Sequence, residues 1–326
     1  MKISKRKSLA EAVALIPDGA TIVFGGWTVT RKPMAAAYEI IRQGKKDLHL
    51  VTNPGGPEND LLIGAGCVKM CETNYIGHEV LGHPYCFRHH CESFGLSGNG
   101  YLHDDWTVQT GALRLLAGAM GIPFMPTRSL RGTDIINPEH DLLAPYRGLE
   151  PKLPRQKVQI VNDPFWEEGE VVLVPALKPD FAIMHVQMTG DEGTVRIHGG
   201  PFLDYYAAMA AKTTIVTAEH ITSEEYLRVS PELNVIPKEV VDVIVEVPYG
   251  AHPTPVDGMY DTDSAFFNEY ILASKNEIAF KKWLSEWVFG IPDHMSYLEK
   301  LGVRRLLSLR TDPALGYNPA LKRRVG

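Results

Sequence analysis

Two glycine-rich turns each follow a short apolar segment, and their residue types suit the binding of an anionic or carbonyl group. The segment Thr21–Phe24 runs directly into Gly25-Gly26. The segment 48–52 runs into Asn53-Pro54-Gly55-Gly56. Glycine allows a ligand to approach the backbone closely, and an asparagine amide can orient a carbonyl or carboxylate. We therefore predict that both turns line a ligand site. The alternative is that they only reverse the chain.

Two cations, Arg31 and Lys32, precede a predicted helix over residues 34–42, and Pro33 has the fixed φ that helps such a helix to begin. The free N–H groups at a helix N-terminus favour anions, so this segment is a second candidate for anion binding. A tight turn with solvated cations is the alternative. Gly25-Gly26 lacks the third glycine of a dinucleotide fingerprint, and the chain has no Gly-Lys-Ser/Thr phosphate loop.

Two further segments combine polar side chains with turn residues. His185 and Gln187 lie at the end of a predicted buried strand, before a Gly-Asp-Glu-Gly turn and a short predicted strand over 194–198. A core histidine with a satisfied hydrogen bond is the alternative for His185. Residues 248–263 contain a histidine and three acids, and their alternative is a surface loop.

All four cysteines fall within 25 residues, at C-x3-C and C-x4-C spacings, among His78, His83, His89 and His90. Zinc usually binds a C-x2-C knuckle, although C-x4-C is within range. The alternative is that the cysteines are small hydrophobes in or beside a core strand, and we expect no metal. Neither a Gly-x-Ser-x-Gly elbow nor a His-Glu-x-x-His motif occurs, so no nucleophile is evident. The cysteines are Cys67, Cys71, Cys86 and Cys91.

Apolar runs alternate with helix-like stretches along most of the chain, which predicts an α/β fold. Several runs are apolar throughout, as in strands of a mainly parallel, open sheet flanked by helices on both faces. Residues 82–165 carry one clear helix, and we predict a long excursion within a single domain over residues 1–326. The predicted strands are 21–24, 48–52, 171–174, 181–186, 214–217, 241–247 and 306–309. The predicted helices are 34–42, 108–120, 204–211, 266–274 and 277–288.

Composition excludes several classes of protein. The 326 residues carry a net charge of −6, with basic runs only at 5–7 and 322–324, so we expect no nucleic-acid binding. No apolar run approaches the ~18–20 residues that span a bilayer, and no signal peptide is visible, so we expect a cytoplasmic protein with reduced thiols.

Motifs along nearly the whole chain resemble family I CoA-transferases, and in particular the glutaconate-type A subunits. The segment DGATIVFGGW, followed by Arg-Lys-Pro and AAAYEIIRQG, resembles the amino-terminal signature of the family. Trp27 is its aromatic residue, and Arg31 stands where glycine is common. The matching motifs continue in order with GTVRIHGG, VDVIVEVPYGAHP, EWVFGIPDHMSYLEKLG and ALGYNP.

This resemblance implies an enzyme that moves coenzyme A between small, dicarboxylic acids through a glutamyl-CoA intermediate. The glutamate is expected on a partner B subunit, in an α2β2 or larger assembly, with no catalytic nucleophile in this chain. The segment Ser97-Gly98-Asn99-Gly100 is similar to the Ser-Glu-Asn-Gly motif around that glutamate, but it has glycine in place of the acid, and we treat this likeness as accidental. Asn53, Gly55 and Gly56 would support the oxyanion. The residues expected to bind substrate or coenzyme A are Gly25, Gly26, Thr28, Arg31, Lys32, Tyr75, Glu79 and Gln187.

One stretch departs from the family pattern and leaves alternatives open. Glutaconate-specific members are richer in hydroxyl and amide groups over residues 75–90, where this chain has Glu79. An ionised Glu79 would repel a second substrate carboxylate, unless protonated histidines compensate. The same scaffold also suits a glutaconyl-CoA-type decarboxylase or a ring-opening acyl-CoA hydrolase, although Val108-Gln109-Thr110 lacks the acid of the latter. A non-catalytic zinc-binding or scaffolding subunit is the third hypothesis.

Overall fold

A computed structural model of the chain describes residues 4–97 and 102–321. Its core is a large sheet in which, over that part of the chain, seven strands run parallel in the order β12-β10-β8-β1-β2-β3-β4. The strands are β1 Thr21–Phe24, β2 Leu48–Val51, β3 Val68–Thr73, β4 Leu102–Asp105, β5 Phe124–Thr127, β6 Gln159–Asn162, β7 Glu170–Pro175, β8 Phe181–Gly190, β9 Val195–Arg196, β10 Thr213–Thr222, β11 Asn234–Ile236 and β12 Val243–Glu246.

Helices cover both faces of this sheet. Alternate residues of β1 enter different hydrophobic clusters, since Ile22 and Phe24 pack in one and Val23 in the other. The predicted α/β fold with strands buried on both faces is thus confirmed. The helices are α1 Leu9–Ala14, α2 Met34–Arg42, α3 Pro57–Gly64, α4 Tyr85–Ser97, α5 Val108–Ala119, α6 Asp204–Ala210, α7 Glu224–Arg228, α8 Ser264–Ser274, α9 Glu277–Leu284, α10 His294–Leu301 and α11 Val303–Leu309.

An antiparallel extension continues the large sheet beyond the end of β1. The strand β8 is ten residues long and pairs with β1 only over Phe181–Ile183. Past that point β9 pairs antiparallel with β8, and β11 pairs with β9. The predicted short strand within 194–198 is therefore present.

The excursion is more structured than the sequence suggested. It contains α4 as well as α5, so the expectation of one clear helix between residues 82 and 165 is wrong. A three-stranded antiparallel sheet, β5-β7-β6, spans its far end. Residues 98–100 of the Ser97–Gly100 segment and the basic run 322–324 lie outside the described residues. The expectation of a single domain stays a prediction.

The predicted strand over residues 306–309 is wrong, because this segment is the last turn of α11. Leucine and arginine are good helix formers, and no β-branched residue follows Val303 in this helix. In the described part of the chain, no helix is both long and apolar enough to cross a membrane.

Candidate functional site

The chain order reverses around β1, and in open α/β sheets such a reversal leaves a crevice at the carboxyl ends of the strands. From β1 the chain proceeds outward through β2, β3 and β4, whereas β8, β10 and β12 lie on the other side. Ligands of open α/β sheets bind beyond the carboxyl ends of strands at such a switch point. Here Gly25-Gly26 follows β1, and Asn53-Pro54-Gly55-Gly56 follows β2, so both predicted turns lie at this edge.

The two turns touch through their backbones. A Cβ atom on Gly56 would lie 1.7 Å from the Thr28 carbonyl oxygen, and the Thr28 N–H donates to the Pro54 carbonyl at 3.2 Å. Gly26 has a φ of +76°, and a Cβ atom there would lie 2.4 Å from the Thr30 carbonyl. Glycine is therefore required at Gly56 for the two turns to pack against each other, and at Gly26 for the turn after β1 to fold back on itself.

Asn53 is enclosed at the junction of the two turns. Its residue is 1% exposed, and neither its Nδ2 nor its Oδ1 atom has a hydrogen-bond partner. An unpaired buried polar group costs about 1–3 kcal/mol, and folded proteins leave few of them. This side chain therefore has an unused donor and acceptor at the switch point.

The N–H groups of Gly55 and Gly56, in contrast to the Asn53 amide, have hydrogen-bond partners. The Gly55 N–H donates to the Tyr75 carbonyl at 2.8 Å, and the Gly56 N–H donates to Glu58 Oε1 at 3.3 Å. The expectation that both N–H groups support an oxyanion conflicts with these contacts. Their missing side chains instead allow the turn to approach Thr28 and Asn59.

Arg31 is fully buried and forms an ion pair with the buried carboxylate of Asp204. Its Nη1 atom donates to Asp204 Oδ2 at 3.0 Å and to the His185 carbonyl at 2.9 Å. Its Nη2 atom donates to the Gly200 carbonyl at 2.8 Å. Asp204 Oδ1 in turn accepts from the Gly26 N–H at 2.8 Å. Arg31 thus joins the β1 turn to the β8 side of the crevice.

Lys32 is equally buried, on the opposite side of the turn. Its Nζ atom lies 2.8 Å from Glu58 Oε1, 3.1 Å from the Gly25 carbonyl and 3.2 Å from the Pro54 carbonyl. Three acceptors match the three donors of an ammonium group. The expectation that Arg31 and Lys32 present positive charge to an anionic ligand conflicts with their complete burial in ion pairs.

Gln187 and His185 on β8 also have internal partners. Gln187 Nε2 donates to the carbonyls of His198 and Asp257 at 2.9 and 3.0 Å. His185 contacts Thr217 Oγ1 at 2.9 Å and Glu219 Oε1 at 2.7 Å, and it is fully buried. The structure thus contains His185 as a satisfied core histidine, which was its alternative interpretation.

Tyr75 and Glu79 follow the carboxyl end of β3, and we call these two exposed residues the rim. Tyr75 is 38% exposed, and Glu79 is exposed with a φ of +52°. Burial, and then the nearby Glu79 carboxylate, raises the pKa of the Tyr75 hydroxyl. Burial lowers the pKa of His78 to about 3, so His78 is neutral and does not compensate the Glu79 charge.

The cysteines are distributed through the core. Cys67, Cys71 and Cys86 are buried thiols, and Cys91 is half-buried. Burial raises the pKa of Cys67 to about 11 and that of Cys71 to about 12, which disfavours the thiolate that binds metals. Across residues 4–97 and 102–321, no group of three or more His, Cys, Asp or Glu is arranged to hold a metal ion.

Sequence reasoning missed the two acids that pair with the cations. Asp204 begins α6, and Glu58 is the second residue of α3. Acids in a first helical turn are common, because they complement the helix dipole. That local signal gives no sign that either acid pairs with a cation from the β1 turn.

Comparisons with known proteins agree with this architecture. Residues 6–247 match the model of the Coenzyme A transferase family. The chain is 39% identical to the A subunit of glutaconate CoA-transferase from Acidaminococcus fermentans, over 97% of this chain and 98% of that one. The crystal structure of that organism's glutaconate coenzyme A-transferase superposes with a TM-score of 0.91 at 38% identity, covering 97% and 98% of the two chains. The A subunit of 3-oxoadipate CoA-transferase from Pseudomonas knackmussii is 31% identical, over 90% and 97%.

Proposed function

The chain belongs to the coenzyme A transferase family, and from this premise we propose that it is the A subunit of a heteromeric enzyme acting on small dicarboxylic acids. It is a coenzyme A transferase subunit. Relatives named as A subunits imply that its partner is a B subunit. The α2β2 or larger assembly, the cytoplasmic location and the absence of a metal remain predictions.

The reaction we propose proceeds through two covalent intermediates on a glutamate of the B subunit. The glutamate carboxylate attacks the thioester carbonyl of an acyl-CoA, and the tetrahedral oxyanion collapses with loss of the CoA thiolate to an acyl-glutamyl anhydride. The thiolate then attacks the glutamyl carbonyl, which releases the first acid and leaves glutamyl-CoA. The second acid reverses these steps. Covalent catalysis divides one difficult exchange into easier ones.

The observation that carries this proposal is the unpaired amide of Asn53 at the switch point. A buried amide without a partner is ready to receive a hydrogen-bonding group. A donor already fixed in place stabilises an oxyanion without reorganisation, and such a donor is worth about 2.7–4 kcal/mol. We assign this donor to Asn53 Nδ2, while Gly55 and Gly56 let the same turn pack against Asn59 and Thr28.

The rim would select the acyl group. Tyr75 and Glu79 are exposed beside the turn that carries Asn53. In that turn the Gly55 N–H donates to the Tyr75 carbonyl. A charged Glu79 disfavours a second carboxylate nearby, so the preferred acid is expected to differ from glutaconate in the group that reaches this rim. We assign the remaining predicted binding residues, Gly25, Gly26 and Thr28, to the floor of the proposed site.

Trapping the intermediate tests the proposal. The chain is co-produced with its B subunit, and the complex is treated with hydroxylamine or borohydride in the presence and absence of acyl-CoA. We expect inactivation that requires acyl-CoA, with the modified glutamate in the B subunit. The lone chain is the control and should show no turnover. Turnover by the lone chain would refute the shared site.

The same experiment separates the alternative chemistries. If the complex consumes acyl-CoA but no glutamyl-CoA is trapped, a decarboxylase or a ring-opening hydrolase becomes the better assignment. Bound zinc in the purified protein, with no activity in the complex, would favour the scaffolding role.

A further inference from the structure

We propose that Glu58 and Lys32 are positioning residues of the transferase site, and that their ion pair holds the β1 and β2 turns at the spacing that catalysis requires. This inference rests on the proposed function. We place neither side chain against the substrate, because both are fully buried and their charged groups bond to each other. They act through the backbone of the two turns that they join.

The contacts of Lys32 support a clamp. Its ammonium group donates to the carbonyl of Gly25, which directly follows β1. It also donates to the carbonyl of Pro54, which directly follows Asn53 in the turn after β2. The third partner, Glu58, belongs to the first turn of α3 and also accepts from the Gly56 N–H. One cation therefore links three consecutive parts of the crevice.

The packing around this clamp leaves little freedom. Gly56 already lies against the Thr28 carbonyl, and Thr28 bonds Pro54. Asn53 immediately precedes Pro54, so a shift of the Pro54 carbonyl moves the amide that is assigned to the oxyanion. A misplacement of about 1 Å by a distant substitution can lower a rate about 10²-fold.

The Lys32 ammonium compensates the burial of the Glu58 carboxyl only in part. Burial raises the pKa of the Glu58 carboxyl, and the Lys32 ammonium opposes that shift. Removing one partner leaves an uncompensated buried charge, whereas removing both does not. The stability effect and the positioning effect can therefore be separated by comparing single and double variants.

The test uses three variants, each in complex with the B subunit: Glu58→Gln, Lys32→Met and the double variant. Glu39→Gln is the matched control, because Glu39 is a buried carboxylate paired with Arg42 on α2 at 2.9 Å. We expect both single variants to lose thermal stability and the double variant to regain part of it. In all three, kcat should fall at least about tenfold with KM within about threefold, while the control stays near wild type.

Amide hydrogen exchange supplies a readout that does not depend on activity. Exchange at Thr28 should become at least about tenfold faster in Lys32→Met, because its bond to Pro54 loses support. If kcat recovers together with stability in the double variant, the clamp is only structural and the inference is wrong. Unchanged exchange at Thr28 would also overturn it. If the wild-type complex has no transferase activity but Lys32→Met still exchanges faster at Thr28, the proposed function is refuted and the clamp between the two turns still stands.

Discussion

Replacing Asn53 by alanine should separate catalysis from stability in an unusual way. The substitution removes two buried polar atoms that have no partner in the folded chain. Each such group costs about 1–3 kcal/mol, and this gain offsets the packing lost with the side chain. The free energy of unfolding of Asn53→Ala should therefore equal or exceed that of the wild type.

Activity should respond in the opposite direction. Loss of one oxyanion donor is expected to raise the barrier by about 2.7–4 kcal/mol, which is about 10²–10³-fold in kcat. KM should change little, since the donor acts when the carbonyl oxygen becomes charged and not when the substrate first binds. The assay is CoA transfer by the complex with its B subunit, with urea unfolding of each variant in parallel.

Asn59 offers a matched control for this variant. It is 1% exposed, and both of its amide atoms also lack partners. Asn59→Ala should change stability in the same sense and leave kcat within about threefold of wild type. Equal losses of kcat in the two variants would show that Asn53 has no special role. A clear loss of stability in Asn53→Ala would show that its amide is bonded within the folded chain, and would refute the reasoning.

Three further outcomes follow from the geometry. Gly56→Ala should lower the free energy of unfolding by at least about 1–3 kcal/mol in urea titrations, because its Cβ atom would lie 1.7 Å from the Thr28 carbonyl oxygen. An unchanged urea midpoint would mean that the two turns move apart freely. Burial lowers the pKa of His78 to about 3. The part of the folding free energy that depends on His78 is therefore fully present above its unfolded pKa near 6.5, and it is lost as the pH falls toward 3. The stability of wild type relative to His78→Phe should therefore fall by about 2 kcal/mol between about pH 7 and pH 5, and a constant difference would contradict this assignment. Glu79→Gln should lower KM for a dicarboxylic acid about fivefold, which corresponds to about 1 kcal/mol of repulsion between solvated charges. KM for a monocarboxylic acid should not change. Equal changes for both acids would show that Glu79 does not face the second carboxylate.

Local composition was sufficient to predict that the two glycine-rich turns lie at one edge of the sheet. The segment Thr21–Phe24 is apolar at nearly every position, and the structure buries all four residues in the middle of the parallel sheet. Two consecutive glycines weaken such a strand and often mark a bend, so the turn and its position follow from adjacent residues. The same holds for β2 and Asn53-Pro54-Gly55-Gly56. The strand over 306–309 was wrong because a short apolar run fits a helix and a strand equally well.

The fate of Arg31 and Lys32 could not be predicted in this way. Their charges and their position before a helix indicated a surface for anions. Their partners, however, lie 173 residues away at Asp204 and 26 residues away at Glu58. Whether a cation faces a ligand or an internal acid depends on which side chains the topology brings together, and a single sequence does not contain that pairing. The correction changes the electrostatics of the site, because these two cations are already neutralised. Recognition of the substrate's negative charge must then come from the Asn53 amide, from CoA-binding groups, or from the B subunit, which is a further reason to expect that the lone chain is inactive.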